Sequence, residues 1–203
     1  MPHQAIHELP AAYHEVGYYT ANDPQILLRL NLLSLLPLFA AYVGMSLWFS
    51  FVRSGRGSWD VGSAWVDVIG LVFALFGVLL LHEWLHGIAI AFYGHKARYG
   101  AKFATLGRLK IPIMLYATTD NGLFRRYEFM VIALTPLIAI TVLSMLAAFI
   151  LPDRWHFYLT LAAALNAGGA IGDLWMTWVV LRYPVSALVR DEADSIRVYT
   201  KMP

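Results

Sequence analysis

The feature that most limits what this chain can fold into is a long apolar run interrupted by His82-Glu83-Trp84-Leu85-His86. The run extends from about Val66 to Tyr93. That is enough to cross a bilayer as a helix, since about 20 apolar residues rising about 1.5 Å each span the hydrocarbon core. On a helix, residues i and i+4 lie one turn apart on the same face. His82 and His86 can therefore direct two imidazoles at one metal ion. Glu83 falls about a quarter-turn away, beside such an ion, where a general base for an activated water belongs. Ionisable groups inside a span cost roughly 3 kcal/mol each near its centre. Placing His82, Glu83 and His86 together is a heavy cost for helix packing alone, so the stretch reads as functional.

The rest of the composition agrees with a bilayer setting. Of the 203 residues, 59% are hydrophobic and 14% charged, against roughly 25% charged in soluble domains. The chain reads as an integral membrane protein. It has no cysteine, so a transition-metal site must be built from His, Asp and Glu. A net charge of +2 gives no reason to expect nucleic acid as a partner. The first 26 residues mix polar and aromatic side chains, without the basic region and short apolar core of a cleaved signal peptide. The first span is expected to act as its own uncleaved signal.

In chain order, residues 1–30 form an N-terminal segment carrying His3, His7 and His14, read as an interfacial stretch rather than a second metal site. Asp23-Pro24 marks a helix start, with Asp as N-cap and Pro in the first helical position. Four apolar spans follow, at about Asn31–Val52, Val66–Tyr93, Tyr127–Leu151 and Trp155–Leu181. Pro37 is expected to kink the first, and Arg53 to Trp59 forms a polar loop. Gly70, Ala74 and Gly77 give the second a face of small residues that a neighbouring helix can approach closely. Residues 94–126 contain strand-forming sequence around Pro112, which is confined to an edge, and predict a β-hairpin or re-entrant loop near the membrane. An edge strand there can take an extended peptide by strand addition. Residues 182–203 form a polar tail. The expected fold is thus an all-α integral membrane protein with about four transmembrane helices and a small hairpin or re-entrant loop between the second and third. It forms a single membrane domain over residues 1–203, with the helical core at 31–181.

Charge provides an independent check. Twelve Lys and Arg fall in the N-terminal segment, the 94–126 loop and the tail, and three in the two remaining loops. The positive-inside rule then places both termini and the long loop in the cytoplasm. The second and fourth spans run in the same direction. His86 and Asp173 come out at similar depth, roughly 10–12 Å from the cytoplasmic end. This makes Asp173 the best third metal ligand. His95, Asp120 and Glu128 compete less well, because they lie in or at the ends of the loop. Asn166 lies seven residues before Asp173, two turns away on the same face. It can either donate to an oxyanion or make a helix-to-helix hydrogen bond.

An H-E-x-x-H late in one span, then a hairpin-like loop, an intervening span, and Asn166 and Asp173 on a parallel span, together resemble the site-2 protease class of intramembrane zinc metalloproteases. The likeness is closer to a small bacterial and archaeal membrane family described as putative zincin peptidases. His82 to Gly87, Leu134-Thr135-Pro136 and Asn166 with Gly172-Asp173 carry it, over about residues 66–200. In the site-2 pattern the second motif is Asn-x-x-Pro with Asp eight residues after the Asn. Here the interval is seven, without the Pro. The resemblance implies zinc held by His82, His86 and Asp173, with Glu83 and Asn166 catalytic. It also implies a membrane-anchored peptide or protein as substrate, cut near the cytoplasmic face of a prokaryotic plasma membrane. Two other readings remain: a zinc hydrolase of a lipid or small amide, and a non-catalytic membrane protein that binds metal or a partner.

Overall fold

The structure, a computed structural model, describes residues 5–54, 64–106 and 109–202. His3 and most of the Arg53 to Trp59 loop lie outside the described residues. The elements in chain order are β1 (Tyr13–Thr20), α1 (Pro24–Leu33), α2 (Leu35–Arg53), α3 (Ala64–Val72), a π-helical turn (Phe73–Gly77), α4 (Val78–Phe92), β2 (Ala97–Leu106), β3 (Leu109–Thr119), β4 (Leu123–Arg125), α5 (Arg126–Ala147), α6 (Asp153–Gly169), α7 (Ile171–Leu181), β5 (Leu188–Asp191) and β6 (Ser195–Lys201). The chain divides into two compact units. One comprises Met1–Leu28, Glu83–Thr135 and Gly172–Pro203; the other comprises Arg29–His82 and Pro136–Ile171.

The second unit is helical. Among the described residues, three helical runs, Pro24–Arg53, Ala64–Phe92 and Arg126–Ala147, are long and apolar enough to cross a membrane. They leave large apolar side chains such as Phe39, Phe76 and Leu80 exposed, as lipid-facing residues would be. The first run starts as its sequence predicts: Asp23 Oδ1 accepts from the backbone N–H of Gln25 at 2.8 Å and of Ile26 at 3.2 Å. It is interrupted at Ser34. Pro37 has no N–H for the Leu33 carbonyl, and its ring crowds that carbonyl, so the helix breaks there. Within this unit Met45, Phe49 and Val52 of α2 pack with Leu159 and Ala163 of α6, and Trp48 Nε1 donates to the Met145 carbonyl at 3.1 Å. Gly70 of α3 lies against the ring of Tyr158 of α6, where a Cβ would come within 2.5 Å of ring carbons. The same tyrosine donates to Asp67 Oδ1 at 2.6 Å, and Arg154 pairs with the Asp67 carboxylate.

The first unit mixes strands and helices. Its four-stranded antiparallel sheet has the order β1-β6-β5-β4, and β2 and β3 form a separate antiparallel hairpin. Ile90 of α4, Ile132 of α5, Val180 of α7, and Val189, Ile196 and Val198 of the sheet share one core. All but Ile132 are sealed from solvent. Each such side chain contributes roughly 1.5–3 kcal/mol by leaving water.

The all-α expectation is therefore corrected. The fold is mixed α/β, with six strands in two sheets and three candidate spans rather than four among the described residues. The expected hairpin is β2–β3. The terminal segments, expected to be a polar lead-in and tail, are also strands. β1 pairs with β6 from Tyr13↔Lys201 to Thr20↔Ser195. Each of these strands acquires its partner only from the far end of the chain, so no local pattern announces it. The expected fourth span is broken. Ala170 caps α6, with its N–H shared between the carbonyls of Asn166 and Gly168, and α7 starts afresh. The Gly168-Gly169 pair weakens the helix at this point. Neither resulting helix reaches spanning length.

Candidate metal centre

The centre is built on α4, where His82 and His86 sit one turn apart. His86 Nε2 stands 3.6 Å from Asp173 Oδ1. Asp173 lies in the first turn of α7, where a carboxylate is favoured by the unpaired N–H groups of the helix start. One ligand atom from each of His82, His86 and Asp173 lies within 4.8 Å of the others, and this is the metal-type cluster among the described residues.

The second nitrogen of each imidazole shows that the rings are oriented for this role. His82 Nδ1 lies 2.8 Å from Asn166 Oδ1. His86 Nδ1 lies 2.9 Å from the Ile132 carbonyl oxygen. An acceptor at Nδ1 fixes the proton there and leaves the Nε2 lone pair for a metal, the arrangement in which most metal-bound histidines are held. Two imidazoles and a carboxylate, preset in this tautomer, are a donor set that fits zinc.

The acceptor for His86 exists because of a proline. In an α-helix the carbonyl of residue 132 would receive the N–H of residue 136. Residue 136 is Pro136, buried within α5, and it has no N–H to give. The freed Ile132 carbonyl takes its hydrogen bond from His86 instead. The Pro136 carbonyl accepts from Asn166 Nδ2 at 3.3 Å. The carboxamide of Asn166, 2% exposed, is thus bonded at both ends. Sequence analysis placed Pro136 only among the residues that carry the family resemblance. The four-residue offset to a carbonyl facing a histidine was the signal to follow.

The other candidate ligands are engaged elsewhere. His95 packs against His7 at 5.1 Å and Phe124 at 4.7 Å between ring centroids. Asp120 pairs with Arg98. Glu128 caps α5, accepting from the Arg125 backbone N–H at 2.9 Å and from the Arg125 guanidinium at 3.2 Å. Gly87, directly after the motif, sits where Tyr99 of β2 reaches the helix: a Cβ there would overlap the tyrosine hydroxyl. The foot of the β2–β3 hairpin thus lies on α4 beside His86.

One acid with a raised pKa, Asp191, was not singled out by sequence analysis. Asp191, the last residue of β5, interacts electrostatically with both His86 and Asp173. Desolvation pushes its carboxyl up to about 6.

Two oriented histidines and an adjacent glutamate on one helix, with an aspartate from a second helix, form a group that could hold a metal ion. Residues 75–188 match the model of the family described as "Putative zincin peptidase", and the chain belongs to that family. The matched region contains His82, Glu83, His86, Pro136, Asn166 and Asp173. Membership supports a zinc metallopeptidase. Neither the curated proteins nor the solved structures contain a match to the chain.

Proposed function

We propose that this protein is a zinc-dependent peptidase of the membrane, hydrolysing a peptide bond of a membrane-associated polypeptide near the cytoplasmic face. One observation carries the reading: His82, His86 and Asp173 converge at a helical run apolar enough to cross a bilayer. Both histidines have their Nδ1 already occupied by an acceptor. His86 lies six residues before the end of that run, roughly 9 Å along the helix axis. The charge bias of the loops supports a cytoplasmic position for this end. The likeness to site-2 proteases in motif order supports action within the membrane.

Zinc, when bound, supplies Lewis acidity that makes water a better nucleophile and a carbonyl a better electrophile. Glu83 follows His82 on α4, and we assign it the general base. It accepts the proton of the attacking water and returns it to the leaving nitrogen. Asn166 acts as a positioning residue: its Oδ1 holds His82, and its Nδ2 holds the Pro136 carbonyl. The Ile132 carbonyl holds His86.

The test is cleavage of labelled single-span peptides in liposomes by the zinc-loaded protein, wild type beside Glu83→Gln. Turnover is expected to fall about 10²- to 10⁴-fold while zinc content stays at the wild-type level. A Glu83→Gln protein with full turnover removes Glu83 from the chemistry. A zinc-loaded wild type that cleaves none of the peptides removes the peptidase reading.

A further inference from the structure

The helical run that carries His82 is not α-helical throughout. At the π-helical turn Phe73–Gly77 the backbone N–H of Val78 bonds to the carbonyl of Phe73, five residues back rather than four. Such a turn seats one residue more than an α-helix would over the same path. On both sides of it the run is tied to α6, within the helical unit. Before the turn, Asp67 pairs with Arg154 and accepts from the Tyr158 hydroxyl, and Gly70 lies against the Tyr158 ring. After it, His82 Nδ1 lies 2.8 Å from Asn166 Oδ1. Between these anchors Gly70, Ala74 and Val78 are buried, while Leu75, Phe76, Leu79 and Leu80 are exposed.

An α-helix turns about 100° per residue. His82 follows Gly70 by twelve residues, so in an unbroken α-helix the two would point about 120° apart. With one residue absorbed by the π-turn, the same stretch brings them to within about 20° of one face. Val78 likewise comes to within about 20° of Gly70, in agreement with its burial. Gly77, expected on the small-residue face with Gly70 and Ala74, instead meets the Phe73 ring of its own helix, where a Cβ would come within 2.7 Å of Cδ2. We propose that the π-turn positions His82: it absorbs the one residue that would otherwise rotate the imidazole off Asn166 while α3 stays seated on α6. This rests on the metal-centre reading given above, and adds the segment that aims one of its ligands.

The test changes the number of residues between Gly70 and His82 in the full-length protein. Deletion of Leu75 removes an exposed residue of the turn and lets it close into an α-helix with His82 still facing Asn166. An alanine inserted between Leu79 and Leu80 rotates His82 by about 100°. A third variant combines the two changes and restores the count. Zinc affinity is read by competition titration, and folding by melting in detergent. A second readout needs no metal. It is the double-mutant cycle of His82→Ala and Asn166→Ala on metal-free protein in each background, read as the non-additive part of the shift in melting temperature.

The deletion and the combined variant are expected to hold zinc within a few-fold of wild type. The insertion should lose about 10- to 100-fold, the usual cost of a ligand deprived of its partner. Coupling between His82 and Asn166 should be present in wild type, the deletion and the combined variant, and absent from the insertion. An insertion variant that binds zinc as wild type does overturns the proposal. So does a folded deletion variant that loses zinc as the insertion does, or a combined variant that fails to regain it. If deletion of Leu75 prevents folding, deletion of Phe76 replaces it, and failure of both to fold also overturns the proposal. A wild type without zinc in which the coupling follows the expected pattern refutes the metal-centre reading alone. Zinc in the wild type without that pattern refutes the π-turn proposal alone, and absence of both refutes both.

Discussion

The two histidines of α4 are held by different parts of the molecule and in different ways. His82 belongs to the helical unit, and a side chain, the Asn166 carboxamide, holds it. His86 belongs to the strand-bearing unit, and a backbone carbonyl, that of Ile132, holds it. Asn166 can be removed by mutation. The Ile132 carbonyl cannot, but it is available only because Pro136 leaves it unclaimed. One motif thus depends on a polar residue buried at helix packing distance and on an apolar residue whose contribution is a missing N–H. Searching for polar support alone would find half of it.

The largest expected effect concerns neither support but the ligand that the strand-bearing unit supplies. Asp173→Ala should drop zinc from about one per chain to near zero, and abolish hydrolysis with it, because two neutral imidazoles remain where a charged ligand completed the set. Elemental analysis of the purified protein reads this directly. Full zinc occupancy in the variant would place the third ligand elsewhere and dissolve the comparison.

Next come the supports. Asn166→Ala leaves the His82 Nδ1–H without its acceptor, and should weaken zinc affinity or activity by about 10- to 100-fold, the usual cost of losing such a partner. Pro136→Ala should act more gently, toward the lower end of that range. The new N–H competes with His86 for the Ile132 carbonyl but leaves the carbonyl in place, and the helix itself gains a hydrogen bond. The pair is measured by zinc competition titration together with thermal unfolding. The distinguishing result is that Pro136→Ala loses zinc affinity while its helix scaffold is no less stable. If Pro136→Ala binds zinc like wild type, the missing N–H is incidental to His86.

The remaining expected effect is on stability rather than on zinc, and belongs to the strand-bearing unit alone. The Asp191 carboxyl, pushed up to about 6 by desolvation, holds its proton in the folded protein between about pH 4 and 6, where an unfolded Asp has released it. The native state then binds more protons than the unfolded one, so stability falls as pH rises through this window and levels above it. The change should amount to roughly 2–3 kcal/mol at most. Melting of the metal-free protein should show this decline, and Asp191→Asn should flatten it. Parallel curves for the two proteins would mean that the Asp191 carboxyl titrates as it does in the unfolded chain.

The apolar helical runs could be read from the sequence, because a segment that crosses a membrane must satisfy its backbone within itself and carry apolar side chains throughout. Both conditions are local. The shared face of His82 and His86 could be read for the same reason, since helix periodicity fixes it. The β2–β3 hairpin joins neighbouring segments and was also visible. The β1–β6 pairing was not, because Tyr13 and Lys201 meet only when the chain is folded. The fourth apolar stretch misled: its composition suits a span, while the Gly168-Gly169 pair and the cap at Ala170 divide it.

By itself, then, the sequence determined three of the four apolar runs it led one to expect and the shared face of His82 and His86 on α4, all of which follow from periods of a few residues. Only the tertiary structure decided that the terminal segments are strands and that a proline in α5 frees the carbonyl orienting His86. It also joined the end of β3 to the end of β5, through the bond from Thr118 Oγ1 to the Asp191 carbonyl. These depend on partners far apart in the chain, and the physical quantity that decides them, which buried polar group meets which, exists only after packing.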